Sequence, residues 1–150
     1  HVPTARVFFS VGFVGLAVLV SGFVYHRRVL GHGGLSDPAW NHDDEVYKHI
    51  AAWLEENAPP QAAVLVNNAP SFYYHSHRPC LSIPNEELET VIAVAHRYGA
   101  RYLVLERNHP RPLQALYLGE EEADPRLSLV LTLESVSGDP VKVYSIDGQN

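Results

Sequence analysis

Apolar residues are distributed along this chain in three distinct ways. Between Val7 and Tyr25 they form one run, VFFSVGFVGLAVLVSGFVY, with no charged side chain. A helix of about 19 residues matches the hydrocarbon thickness of a bilayer. Its 12 Val, Leu and Phe residues contribute about −5 kcal/mol to insertion, more than Ser10 and Ser21 oppose. Arg6, His26, Arg27 and Arg28 bracket the run and Tyr25 takes an interfacial position, so residues 1–28 predict one transmembrane helix with its flanks. A core helix of this length would show a polar stripe. A cleavable signal would have a shorter apolar stretch and a small-residue site in place of SGFVYHRR. Ala17 and Ser21, with Gly15 and Gly22, are small positions on which other helices can pack.

Residues 29–41 have no apolar period, and Gly31, Gly33, Gly34 and Pro38 mark them as a juxtamembrane linker. Residues 42–147 then alternate between two periods. Val46, Tyr47, Ile50, Trp53 and Leu54 recur at helical spacing behind the acidic first turn of Asp43, Asp44 and Glu45, and Pro59 and Pro60 end that helix. Ala63–Val66 is a short apolar run with the character of a buried strand. Ser71–His77 reads as a short helix or turn, and Cys80–Ile83 as a second strand. Leu88, Val91, Ile92, Ala95 and Tyr98 line a further helix, with Asn85 as its expected cap and Gly99 as its stop. Tyr102–Leu105 is a third strand, and Pro112 opens a short helix closed by Gly119. After the acidic loop Glu120–Asp124, two strands, Leu127–Leu133 and Val141–Ile146, are joined through Ser137, Gly138, Asp139 and Pro140. Residues 148–150 form a tail.

Strands alternating with helices predict a small three-layer α/β domain. Its sheet is expected to hold about five strands, mainly parallel, with an antiparallel C-terminal hairpin at one edge.

Charge sharpens this division. The net is −6, but Arg6, Arg27 and Arg28 lie before the first acid, Asp37; the rest of the chain sets 8 basic against 17 acidic side chains. Nucleic acid needs a basic stripe and is excluded as a partner. The lone Cys80 forms no internal disulfide. The chain contains no Met and opens on His1, which predicts that it is the tail of a longer protein.

In an open parallel sheet, ligands collect beyond the carboxyl ends of the strands. Those positions hold Asn67 and Asn68 after the first strand, Asn85 after the second, and Glu106, Asn108, His109 and Arg111 after the third. Tyr73, Tyr74 and Arg78 border the same edge. Amides, a carboxylate and aromatic faces suit a sugar or another polar ligand; the plainer reading makes these Asn residues turn caps. His75 and His77 would share a face only on a strand, with His109 as a third ligand, and on a helix they diverge, so no metal site is assigned. Gly31-His32-Gly33-Gly34 follows a membrane span rather than a strand, which removes it as a dinucleotide loop. Neither a nucleophile elbow nor a signature around Cys80 is present, so no catalytic residue is assigned.

The segment from Tyr47 to Pro79 carries Trp53, Leu54, Asn57, Pro59, Ala63 and Val64, then Tyr73, Tyr74, Arg78 and Pro79. With Arg97-Tyr98-Gly99-Ala100-Arg101-Tyr102-Leu103-Val104 and Val141-Lys142-Val143-Tyr144, it resembles the C-terminal span and extracytoplasmic domain of polytopic GT-C-type, protein mannosyltransferase-like glycosyltransferases. The resemblance covers Asp44 to Ile146 and the preceding span. It implies a parent enzyme that moves a sugar from a polyprenyl-phosphate donor, with its catalytic carboxylate on an early loop that is not in this sequence. This segment would then be a non-catalytic accessory domain without a cofactor of its own, whether or not the parent needs a divalent metal. Its implied partners are the bilayer, the other transmembrane helices, and a glycan or lipid-linked sugar. Arg27 and Arg28 after the span would by themselves hold the domain in the cytoplasm; the resemblance implies a cell-membrane protein with the domain outside. The alternatives are a single-span sensor or ligand-binding module and a purely structural assembly domain.

Overall fold

A computed structural model describes residues 4–27, 42–120 and 124–147, in two units divided near residue 42. The expected linker, the C-terminal tail and residues 121–123 of the acidic loop lie outside the described residues.

The first unit is helix α1, Thr4–Tyr25. Side chains from Phe8 to Arg27 are all exposed, and Phe8–Tyr25 is long and apolar enough to cross a membrane, with a mean hydropathy of 2.1.

The second unit runs α2 (His42–Asn57), β1 (Ala63–Val66), α3 (Ala69–Ser76), β2 (Cys80–Ser82), α4 (Leu88–Tyr98), β3 (Ala100–Leu105), a 3-10 turn at Arg111–Leu113 continuing into α5 (Gln114–Leu118), β4 (Leu127–Glu134) and β5 (Pro140–Ile146). The five strands form one sheet in the order β2-β1-β3-β5-β4. Successive side chains of a strand face opposite ways, and the core divides accordingly. Ala63, Leu65, Leu103, Leu105, Tyr144 and Ile146 pack against α4 and α5. Val64, Val66, Val104, Val141 and Val143 pack against α2 and α3. All four residues of β1 are buried because both of its faces are covered, which is why it reads as an unbroken apolar run.

The sheet is mixed, which corrects the expectation of a mainly parallel one. β1 pairs in parallel with β2 and β3, whereas β5 is antiparallel to both β3 and β4. No helix separates β4 from β5, so the pair closes as a hairpin, and it enters the sheet return strand first. β4 is therefore the outer edge. It also carries a register shift between Leu129 and Leu131. The extra residue, Val130, turns Leu131 and Leu133 toward the α2 face while Leu127 stays on the α4 face.

Three long side chains finish helix ends. The guanidinium of Arg78 is buried and donates to the carbonyls of Pro59 (2.7 Å) and Leu54 (2.6 Å), with a longer contact to Ala58 (3.4 Å). These carbonyls lie at the end of α2 and in the turn after it, where those of Leu54 and Pro59 also accept from the Ala58 and Ala62 N–H groups. At α5, Lys142 donates to the Tyr117 carbonyl (2.6 Å) and the Tyr144 hydroxyl to that of Leu116 (3.2 Å). A smaller clamp joins the starts of α4 and β4, where Arg126 pairs with Asp124 and Glu89, each at 2.7 Å. The Arg126 side chain and backbone N–H hold the Asp124 carboxyl down at about 2.

Candidate functional site

β1 leads into α3 on one face of the sheet, while β2 and β3 lead into α4 and α5 on the other. The chain therefore leaves adjacent strands β1 and β3 in opposite directions. That divergence opens a crevice beyond their carboxyl ends, the usual ligand position in open α/β sheets. A cleft of about 570 Å3 lies there, lined by Asn67, Ile83, Asn85, Asn108, His109, Pro110, Arg111 and Pro112. Its volume falls within the range of small-molecule sites, about 300–1,000 Å3.

Of the residues singled out from sequence, the cleft brings together Asn67, Asn85, Asn108, His109 and Arg111. Asn85 does not cap α4, as had been expected. The cap position is Glu87, with φ −63° and ψ 158°, and the helix begins at Leu88. The amides of Asn67, Asn85 and Asn108 and the guanidinium of Arg111 make no side-chain hydrogen bond to another described residue. Arg111 has no ion pair among the described residues either.

His109 has another role. Its Nδ1 lies 2.7 Å from the Glu106 carbonyl oxygen, its Nε2 lies 2.9 Å from the Gln114 side-chain amide, and its ring lies over Tyr117 at 4.2 Å. Both contacts are to oxygen atoms, the Glu106 carbonyl and Gln114 Oε1. Held on three sides, His109 fixes the loop that presents Asn108 and Arg111. Gln114 and Tyr117 were not foreseen as site residues; their signal was only the spacing of five and eight residues from a loop His.

The remaining candidates lie elsewhere. Asn68 caps α3, accepting from the Ser71 N–H at 3.4 Å, as the plainer reading of that residue holds. Tyr74 is exposed on α3 beside the His75 ring and lines neither cavity at this edge. Arg78 is turned into the fold, as described above. Glu106 accepts from the Tyr47 hydroxyl at 2.8 Å and lines a smaller cavity of about 280 Å3 with Val46, Arg107, Asn108, Ser135, Ser137, Asp139 and Val141. There Asp139 pairs with Arg107 at 3.0 Å, and its pKa is lowered first by the Ser137 hydroxyl and then by Arg107. Asn108 borders both cavities.

The His75–His77 pair has helical geometry. His75 lies within α3 and approaches Asp44 at 3.6 Å, and His77 is its left-handed C-cap with φ 52°. Among the described residues, no three His, Cys, Asp or Glu side chains are grouped to hold a metal ion. Burial raises the pKa of the Cys80 thiol, which approaches the Ala69 carbonyl at 3.2 Å. Half-buried, the side chain packs against the apolar cluster on the α2 face of the sheet.

Compared with known protein families, curated proteins and solved structures, the chain matches none.

Proposed function

We propose that this chain is the C-terminal span and accessory domain of an integral-membrane glycosyltransferase that uses a polyprenyl-phosphate sugar donor. The segment itself is non-catalytic, and its domain faces outward and receives a glycan at the carboxyl-edge cleft. The supporting observation is where the residues of the resemblance lie. Asn57 donates to the Trp53 carbonyl, Arg78 closes on Leu54 and Pro59, and the Val64 N–H donates to the Pro79 carbonyl. Motif positions some 25 residues apart thus form one hydrogen-bonded unit, as expected of a shared domain type rather than a chance run of residues. The apolar helix α1 and the unpartnered amides of the cleft fit the same reading.

The full-length coding sequence tests it. Several hydrophobic spans upstream, with an acidic residue in the first outer loop, are the expected result; a coding sequence with one span overturns it. The cleft favours one second reading, a single-span ligand-binding module. In that case a ligand at 100 times its dissociation constant raises stability by about 2.7 kcal/mol, readable as a thermal shift of the whole chain in detergent.

A further inference from the structure

Resting on the reading of the cleft as a glycan site, we propose that its ligand is a sugar bearing a carboxylate, of the uronic acid kind. Three features of the lining select this class.

The first is the amides. Asn67, Asn85 and Asn108 come from the ends of three different strands or the loops after them, and each offers both a donor and an acceptor with no protein partner among the described residues. Vicinal hydroxyls need that combination. Ile83 and Pro110 are buried and Pro112 half-buried, so the wall is aliphatic and suits the C–H face of a sugar ring. No Phe, Tyr or Trp is among the lining residues, and the one aromatic ring there, the imidazole of His109, is already packed on Tyr117, so a nucleobase would lack a free stacking partner.

The second is charge. The domain is strongly acidic, yet the lining contains no Asp or Glu, and Arg111 is its one side chain of permanent charge. The neighbouring cavity is the opposite, with carboxylates from Glu106 and Asp139. A ligand spanning the edge would keep its anion on the Arg111 side of Asn108. Arg101 also lacks a partner among the described residues, but it stands at the other end of β3.

The third separates carboxylate from phosphate. Phosphate sites are made largely of backbone N–H groups at glycine-rich turns and helix starts. At this edge Pro70 lies in the first turn of α3, Pro84 and Pro110 in the loops after β2 and β3, and Pro112 in the 3-10 turn, and none of them has an N–H. A dianion would find few backbone donors there to hold it. A monoanionic, planar carboxylate needs only the fork of one Arg.

The test is NMR titration of the full chain in detergent micelles with glucuronate, glucose and glucose 6-phosphate. Glucuronate is expected to shift the amides of residues 108–112 and the side-chain amides of Asn67 and Asn85, with at least tenfold higher affinity than glucose. Arg111→Gln is expected to bring glucuronate down to the affinity of glucose while leaving the rest of the spectrum in place. Equal affinities for glucuronate and glucose in the native chain overturn the carboxylate assignment and leave the glycan site standing. Tighter binding of glucose 6-phosphate than glucuronate overturns it also. Silence of the cleft toward all three sugars overturns the assignment and the glycan site together. An upstream sequence lacking further spans would remove the glycosyltransferase reading without touching these titrations.

Discussion

Arg78 and Arg111 stand at two ends of the same small domain and are used in opposite ways. Around Arg78 nothing is left over: its guanidinium is spent on the carbonyls of Leu54, Ala58 and Pro59, and the side chain is 6% exposed. Around Arg111 the polar groups of the lining are largely unspent, as three amides and one guanidinium have no protein partner among the described residues. Buried polar groups are costly unless paired, so folding alone accounts for the first arrangement. The second costs folding nothing, since Asn85, Asn108 and Arg111 are exposed and Asn67 half-buried, and the loop tied down by His109 displays them without a protein partner among the described residues. The contrast separates a residue type that both sites share from the use made of it.

Removing Arg78 is expected to have the largest effect. Arg78→Met keeps much of the volume but removes the charged donor that the Leu54 and Pro59 carbonyls accept from besides the Ala58 and Ala62 N–H groups, at about 1.5 kcal/mol or more for each charge-assisted bond. A loss of about 3 kcal/mol should appear in chemical denaturation of the whole chain in detergent, followed by near-ultraviolet circular dichroism. Arg78→Lys, with a single ammonium in place of the fork, should fall between the two. A Met variant as stable as the native chain would show that the knot around α2 holds without its cap.

These two arginines also mark where the sequence was and was not readable. Residues at strand ends were legible because β1 and β3 announce themselves as apolar runs, so Asn67, Asn108 and Arg111 could be placed at one edge without coordinates. Asn85 reached the same edge although its expected role as a cap passed to Glu87. The destination of Arg78 was not readable, since its acceptors are backbone carbonyls up to 24 positions away and carry no side-chain signal. Strand order was not readable for a related reason. A hairpin pairs β4 with β5 whichever of them meets β3, and only packing of Val141 and Val143 under α2 decides. In an unbroken strand the alternating leucines of LSLVLTLE would share one face, and the bulge at Val130 divides them between two.

Asn68 and Asn67 are neighbours on the two sides of this contrast, so they allow a finer test. Asn68 caps α3 through a contact of 3.4 Å, near the limit for a hydrogen bond. Asn68→Ala should therefore cost about 0.5–1 kcal/mol, the low part of the range for N-caps. Equal costs for Asn68→Ala and Asn67→Ala would mean that the amide of Asn67 has a structural partner after all.

A smaller effect is expected at Asp124, and it depends on pH. Its folded-state pKa of about 2 lies below the ordinary value of 3.8, because the Arg126 side chain and then its backbone N–H bond the carboxylate. A depressed folded pKa means that the contribution is complete above the unfolded value and disappears as pH falls from near 4 toward 2. Both side chains are half-buried at the surface, where water screens the pair, so its worth is at most about 1 kcal/mol. Asp124→Asn should flatten the acid limb of the stability curve between those values and lower stability slightly at neutral pH. An acid limb identical to that of the native chain would assign acid sensitivity to other carboxylates.

The smallest expected effect is the most informative about the cleft. Asn85→Ala removes a side chain that caps no helix and has no partner among the described residues, so its cost should stay within about 0.5 kcal/mol, as for an ordinary surface position. A binding residue and an idle one predict the same stability here, and they differ only when ligand is present. The decisive comparison is therefore Asn85→Ala against Asn68→Ala in the glucuronate titration. The first should be stable and weak in binding, the second less stable and unimpaired in binding. If Asn85→Ala proves clearly less stable than the native chain, the amide belongs to the fold, and the cleft loses one of the three donors on which its reading as a sugar site depends.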